Sequence, residues 1–455
     1  MRPTRFLRNM CTFVKKMDKH KMRLKRIAII GVTILGVTAM VFYLTIGELP
    51  ATMLIRNVNT WQVKDTGLTE VKLKRGGSQW QHYDASAAPP TSLIEGGPMP
   101  TPGKPKLLLI VAYLRSGSTF TSSLFSQQPD SFYVFEPLHM VVKTVKKHMA
   151  LRYVNGTVRR FPQGISDNPQ SLFRECMDPW LRCAFRKVDT ASLLDNFHLH
   201  YSKSIKPLLL CVKHIRSLTP LTRYAINHCI RETVVKCISA NLRVIKTIRL
   251  SMEMAHSLMA ENENMKIVHL VRDPRAMFLS QSNNKLIKGN NKTTCSQFER
   301  LCTRMRDDIY FTRQLLEVGN KNVKLVRYED IAFNPIEMTK ELYTFIGEPL
   351  TKGLLRYVAQ STSLNMKDGC PFCTRRGNST LTASKWRSTI HPAFLKLVDQ
   401  HCKDLLQPLG YHFTEDINYL RNTSLPTFQE HIPLLEHINL SESAKDVITE
   451  TLRHV

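Results

Sequence analysis

The chain has 455 residues, 43% of them hydrophobic, which suits a real core in one large domain or two smaller ones and excludes a chain too polar to fold. Lysine and arginine number 64 against 37 aspartate and glutamate, a net charge of +27. Such an excess favours anionic partners: nucleotides, nucleic acid, a membrane surface or an acidic polymer.

The first 26 residues hold ten Lys/Arg and one Asp. Residues 27–47, IAIIGVTILGVTAMVFYLTIG, carry no charge, and their 21 residues match the roughly 20 that a helix needs to cross a bilayer. With the cations ahead of the span and Glu48 behind it, the positive-inside rule predicts a cytosolic tail (1–26), a type II transmembrane signal anchor (27–47) and a lumenal remainder. The competing reading is a buried core helix. Sequons at Asn155, Asn291, Asn378, Asn422 and Asn439 are candidate N-glycosylation sites in that lumen. Of 11 cysteines, only Cys11 precedes the span, and the ten beyond it form an even set suited to disulfides in an oxidising compartment. Cys370-Pro-Phe-Cys373 has no second CxxC or paired histidines, so a structural disulfide is favoured over zinc or redox chemistry.

Residues 48–105 are rich in Gly, Pro, Ser and Ala and read as a flexible stem. From 106 onward, continuous apolar runs alternate with helical patterns. Strands are predicted over 106–113, 132–135, 242–249, 266–271 and 322–330. Helices are predicted over 118–128, after the third strand, from Pro274, over the amphipathic stretch 298–318, and over 335–347, stopped by Gly347. Apolar strands of this kind separated by helices imply an α/β fold with a parallel sheet covered on both faces. The stretch 140–240 is the least legible and reads as a disulfide-tied insertion holding Cys176, Cys183, Cys211, Cys229 and Cys237. Residues 416–455 form a C-terminal extension.

In such folds the ligand sits at the carboxyl ends of the strands. The first strand ends in Arg115-Ser116-Gly117-Ser118-Thr119, a turn whose amides and hydroxyls can meet an anion while Arg115 forks onto its oxygens. It reads equally well as a polar loop with a helix cap. The fourth strand ends in Arg272-Asp273-Pro274, either an anion-binding arginine at a helix start or a capped helix with a solvated arginine. The third strand carries Lys246 and Arg249 near its end. The second ends in Glu136-Pro137, which puts a carboxylate among these cations as an ion-pair partner or a general base. His139, closer to neutrality, is the rival base. Pro137 is expected to hold Glu136 extended, on a strand beside the one that carries Arg115.

Six segments in order, LRSGSTF, FYVFEPLH, IKTIR, LVRDPRAMFLSQ, LVRYEDIAFNP and SKWRSTIHP, resemble the Golgi carbohydrate sulfotransferases, best those acting on the 6-hydroxyl of galactose, N-acetylglucosamine or N-acetylgalactosamine. The resemblance covers roughly 106–412 within an expected lumenal domain of 106–415. It implies a fold related to P-loop nucleotide kinases and a sulfate donor, 3′-phosphoadenosine 5′-phosphosulfate (PAPS). It implies that Arg115 and residues Ser116 to Phe120 hold the 5′-phosphosulfate, that Arg272 and Ser280 hold the 3′-phosphate, and that Lys246 reaches the sulfuryl group. Lys385 and Arg387 would close over the nucleotide, unless they are only a solvated basic loop. The expected partners are a glycan or glycosaminoglycan acceptor and the Golgi membrane, with no nucleic acid and no metal. Two other readings compete: a lumenal kinase or NTPase of related fold, which would want a loop Lys and an Mg²⁺-holding Asp, and a non-catalytic glycan-binding protein.

Overall fold

In the computed structural model, which describes residues 104–161, 164–165, 168–218, 221–287, 291–362, 374 and 376–436, Lys106–Val111 is strand β1. Leu107, Leu109 and Val111 pack into one core cluster, and Leu108 and Ile110 into another on the opposite face. A strand buried on both faces has no polar side to alternate with, which is why this run is continuously apolar. Beside it lie β2 (Ser131–Phe135), β3 (Leu242–Thr247), β4 (Met265–Val271) and β5 (Val323–Arg327). All pairings in this five-stranded sheet are parallel, and the spatial order is β2-β3-β1-β4-β5. The chain leaves β1 for the edge strand β2, returns to β3, then crosses to β4 and β5. The order therefore reverses around the carboxyl end of β1, the position where such sheets open a crevice.

Helices cover both faces. α1 (Ser118–Ser126) supplies Phe120 and Leu124 to one core cluster. On the other face α2 (Lys206–Leu218), α3 (Thr222–Ser239) and α4 (Met252–Ala260) supply Leu208, Ile226 and Leu258. A third cluster joins Val271 at the end of β4 to α5 (Pro274–Asn283), α6 (Asn291–Glu317) and α8 (Pro392–Leu406) through Phe278, Phe298 and Val398. Between α6 and α8, α7 (Pro335–Ile346) ends at Gly347, whose φ of 69° supplies the left-handed residue that commonly stops a helix.

Several expected boundaries move. β1 stops at Val111, not residue 113, and β3 at Thr247, not 249. The fifth strand stops at Arg327, and Tyr328–Phe333 is helical, because Asp330 folds back to accept the Arg327 guanidinium at 2.8 and 2.9 Å. β2 pairs with β3, so it is not beside the strand that leads to Arg115.

The 140–240 stretch is largely helical and is tied by Cys183–Cys237 and Cys211–Cys229, the latter joining α2 to α3. Cys302–Cys402 joins α6 to α8. By loop-closure entropy each bond is worth roughly 3 to 5 kcal/mol. Cys176 keeps a free thiol, which burial pushes up to about 12. Among the described residues no helix is long and apolar enough to cross a membrane. The expected span at 27–47, residues 48–103 of the stem, Cys370, Cys373 and Asn439 lie outside the described residues.

Candidate functional site

The ends of β1 and β3 are held level, the Ala112 amide donating to the Thr247 carbonyl at 3.0 Å. The chain then turns sharply. Arg115 and Gly117 both adopt left-handed backbone, φ 69° and 83°. A side chain at Gly117 would start 2.1 Å from the Tyr328 ring, so only glycine fits. For Arg115 that backbone costs roughly 1–2 kcal/mol. The Ser116 amide and hydroxyl both donate to the Tyr113 carbonyl, at 3.1 and 2.8 Å. Ser116 is therefore spent on closing the turn and does not line the cavity, contrary to expectation. α1 begins with no side-chain cap, so its first amides have no acceptor inside the helix and its positive end stands open. Gly117, Ser118, Thr119 and Phe120 line a cavity of about 530 Å³.

Two arginines flank this turn. Arg115 donates from Nε to the Ser280 hydroxyl at 2.9 Å. Arg272 donates to the Arg115 carbonyl at 3.0 Å, and its guanidinium lies 4.5 Å over the Tyr328 ring. Arg272 Nε is buried without a hydrogen-bond partner; a Glu329 oxygen is 3.9 Å away. Burial, then Arg272 and Arg376, bring the Arg115 guanidinium down to about 10. Ser280 reaches the site along the face of α5 that also presents Ala276 and Leu279, spaced three and four residues apart. Asp273 caps that helix by accepting the Arg275 amide, and its carboxylate also takes the fully buried Arg275 guanidinium.

Glu136 follows β2 in left-handed backbone, φ 52°, so the expectation that Pro137 holds it extended is wrong. The turn lets the Glu136 amide bond the Lys246 carbonyl at 2.9 Å while the side chain folds inward. There Lys246 Nζ donates to Oε1 at 2.5 Å, and Arg249 and the Ile248 amide donate to Oε2. Phe135 is the register partner of Lys246, and the ammonium lies 4.5 Å over its ring. Burial would push the Glu136 carboxyl up, but Lys246 and Arg249 outweigh it and hold the carboxyl below its ordinary range. Burial pulls the Lys246 ammonium down, with Glu136 opposing.

Arg115, Glu136, Lys246, Arg249, Arg272, Ser280 and Lys385 thus line one cavity. Besides Ser116, two expected residues do not. His139 binds Asp195 at 2.5 Å and stacks on Phe197. Arg387 is buried and donates to the carbonyls of Leu420, Asn422 and Leu425, fastening the following loop. Sequence reasoning missed Tyr328, Phe197, Tyr201 and Trp386, which also line the cavity. Tyr328 had a signal, its place directly after a strand end. Phe197 and Tyr201 had none. Among the described residues no cluster of His, Cys, Asp and Glu could hold a metal ion.

The sulfotransferase domain model matches residues 105–410. Carbohydrate sulfotransferase 1 of Homo sapiens is 26% identical over 354 residues, spanning 71% of this chain and 83% of that protein. Carbohydrate sulfotransferase 4 of Mus musculus is 26% identical over 335 residues, spanning 68% and 82%. A solved retinol dehydratase, in complex with retinol and PAP, aligns at TM-score 0.36 and 16% identity over 69% of this chain and 84% of its own, a likeness too distant to bear on the site. With a matched domain that includes every strand of the sheet and the whole cavity lining, the chain belongs to the sulfotransferase family, and it is similar to carbohydrate sulfotransferases.

Proposed function

We propose that the protein transfers the sulfuryl group of PAPS to a hydroxyl of a glycan sugar, the 6-hydroxyl of galactose, N-acetylglucosamine or N-acetylgalactosamine. The observation that carries this reading is the joining of two cation sets in one cavity: Arg115 and Arg272 around the turn after β1, and Lys246 and Arg249 around Glu136. The residues fit such a donor. Arg272 lines the cavity beside the Arg115 carbonyl and the start of α1 has no cap, an arrangement that a bis-anionic nucleotide would satisfy.

PAPS supplies an activated sulfuryl group on a 5′-phosphate. Arg115 and the amides of Gly117 to Thr119 bind that end, and their fixed charge favours the oxygen that gains charge on departure. Arg272 and Ser280 bind the 3′-phosphate, and Lys385 closes over the nucleotide. Lys246 and Arg249 draw toward the sulfuryl oxygens. That loosens their hold on Glu136, whose carboxylate recovers basicity and takes the proton of the attacking sugar hydroxyl. The sulfuryl group carries less negative charge than a phosphoryl group, so fixed cations and amides suffice.

Similarity to carbohydrate sulfotransferases supports a sugar as acceptor. The 27–47 span and the sequons support a type II protein of the Golgi membrane with its catalytic part in the lumen. Asn155, Asn378 and Asn422 are exposed, as glycan carriers must be. The test is incubation of the detergent-solubilised full chain with ³⁵S-labelled PAPS and a panel of desulfated glycans. Label is expected on carbon 6 of one of the three sugars. Label on no sugar at all would remove the reading, and label on another carbon would remove its position.

A further inference from the structure

The cavity has a side that the nucleotide does not need. Arg115, Arg272 and Ser280 stand at the ends of β1 and β4 and on α5. Across the sheet, at the ends of β2 and β3, the lining changes to Glu136, Lys246 and three aromatic rings, Phe135, Phe197 and Tyr201. Phe197 and Tyr201 open and close one short helical turn, Phe197–Tyr201, in the 140–240 stretch. The Tyr201 ring stacks 4.6 Å from Phe135, and Phe197 meets Phe135 edge-on at 5.8 Å. Both are half-buried, each with ring surface left toward the cavity.

This corner is held rigidly. Asp195 accepts the Phe197 amide on one oxygen at 3.1 Å and His139 on the other. The His139 ring lies flat behind Phe197 at 4.0 Å and 15°. The Phe135 amide donates to the Ser202 hydroxyl at 2.9 Å, tying β2 to the same turn. Rings fixed in advance lose little freedom when a ligand arrives. In-line transfer requires the acceptor oxygen to enter opposite the departing phosphate, away from the nucleotide's cations and toward Glu136. A pyranose ring has an apolar C–H face, and a flat aromatic face matches it.

We infer that Phe197 and Tyr201 form the acceptor platform, on which the C–H face of one sugar ring lies so that its hydroxyl points at Glu136. His139 and Asp195 are positioning residues for that platform. The inference rests on the function proposed above and names the side of the site that binds the sugar.

Its test uses the full-length protein and three oligosaccharide probes, ending in galactose, N-acetylglucosamine or N-acetylgalactosamine. Glycan affinity is measured by calorimetry with the product nucleotide, 3′-phosphoadenosine 5′-phosphate, at saturation, and nucleotide affinity is measured separately. Phe197→Leu and Tyr201→Leu keep apolar bulk for folding but remove the ring. Each is expected to weaken binding of the best probe about tenfold or more, with nucleotide affinity within about twofold. Tyr201→Phe keeps the ring face and is expected to retain glycan binding. Unchanged glycan affinity in both leucine variants overturns the platform, as does failure of the wild type to bind any probe. An equal loss of nucleotide affinity assigns the rings to adenine and overturns it too. Wild-type protein that binds a probe through these rings yet transfers no sulfate keeps the platform and removes the proposed reaction instead.

Discussion

Glu136 meets two cations and turns left-handed to reach them. In this state its low basicity suits a clamp; as a base it depends on a sulfuryl group drawing Lys246 and Arg249 aside. Glu136→Gln keeps the shape and removes the charge. If Glu136 is the base, kcat falls about 10²-fold or more, while affinity for the product nucleotide stays nearly intact. If it is only a clamp, the two cations left buried without their carboxylate lower stability by about 3 kcal/mol or more, and turnover follows the folded fraction. Denaturant melts run beside the kinetics separate the two. Arg272→Ala is expected to weaken product-nucleotide binding by about 2 kcal/mol, as for one charge-assisted contact. Calorimetry that finds no change would take the 3′-phosphate away from this arginine. Arg115, Glu136, Lys246 and Arg272 were legible in the sequence because each stands where an apolar run stops, and a run's end needs no tertiary information. Ser280 was invisible to that logic because it reaches the cavity by the turn of α5, six residues past Pro274.

At the scale of elements, the helical segment after β5 links the strand end to the rest of the fold through Glu329. This carboxyl is buried, accepts the Tyr411 hydroxyl at 2.7 Å and the Asp273 amide at 3.2 Å, and is pushed up to about 7, chiefly by burial. Its ordinary value is 4.5, so between about pH 4.5 and 7 the folded protein keeps a proton that the unfolded chain has released. Stability from this group is therefore full below 4.5 and is lost as pH rises through 7, by up to about 3 kcal/mol. Glu329→Gln retains an acceptor for Tyr411 and should flatten that slope, read as melting temperature against pH. A slope as steep as that of the wild type would assign the pH dependence elsewhere. The strands were readable to within a few residues because both faces are buried and the apolar runs are unbroken. The helices of 140–240 were not. There the packing is set by Cys183–Cys237, Cys211–Cys229 and docking against the sheet, none of which leaves a period in the sequence.

For the whole molecule, the basic tail and apolar span set the orientation proposed above. Protease added to sealed microsomes should trim only the first ~26 residues, and a glycosidase should shift the mobility of the protected remainder. Loss of the 106–412 region to protease, with no glycosidase shift, would reverse that orientation. The fold class was legible because it follows from buried runs and their spacing, whereas the aromatic corner depended on how a helical insertion folds over the sheet. The crowding of Arg115, Arg272 and Arg376, which helps pull one guanidinium down to about 10, has a thermodynamic counterpart. Like charges held this close raise the free energy of the native state, and an anion entering among them lowers it. Thermal stability should therefore track anion occupancy: about 2.7 kcal/mol gained at a nucleotide concentration 100 times Kd, and a smaller gain from inorganic sulfate once the effect of sodium chloride at equal ionic strength is subtracted. Arg115→Gln should raise the melting temperature in dilute buffer while shrinking the nucleotide-induced rise. Folding strength and donor grip would then be opposed at one residue, so the protein most resistant to heat would be the one least able to hold its donor.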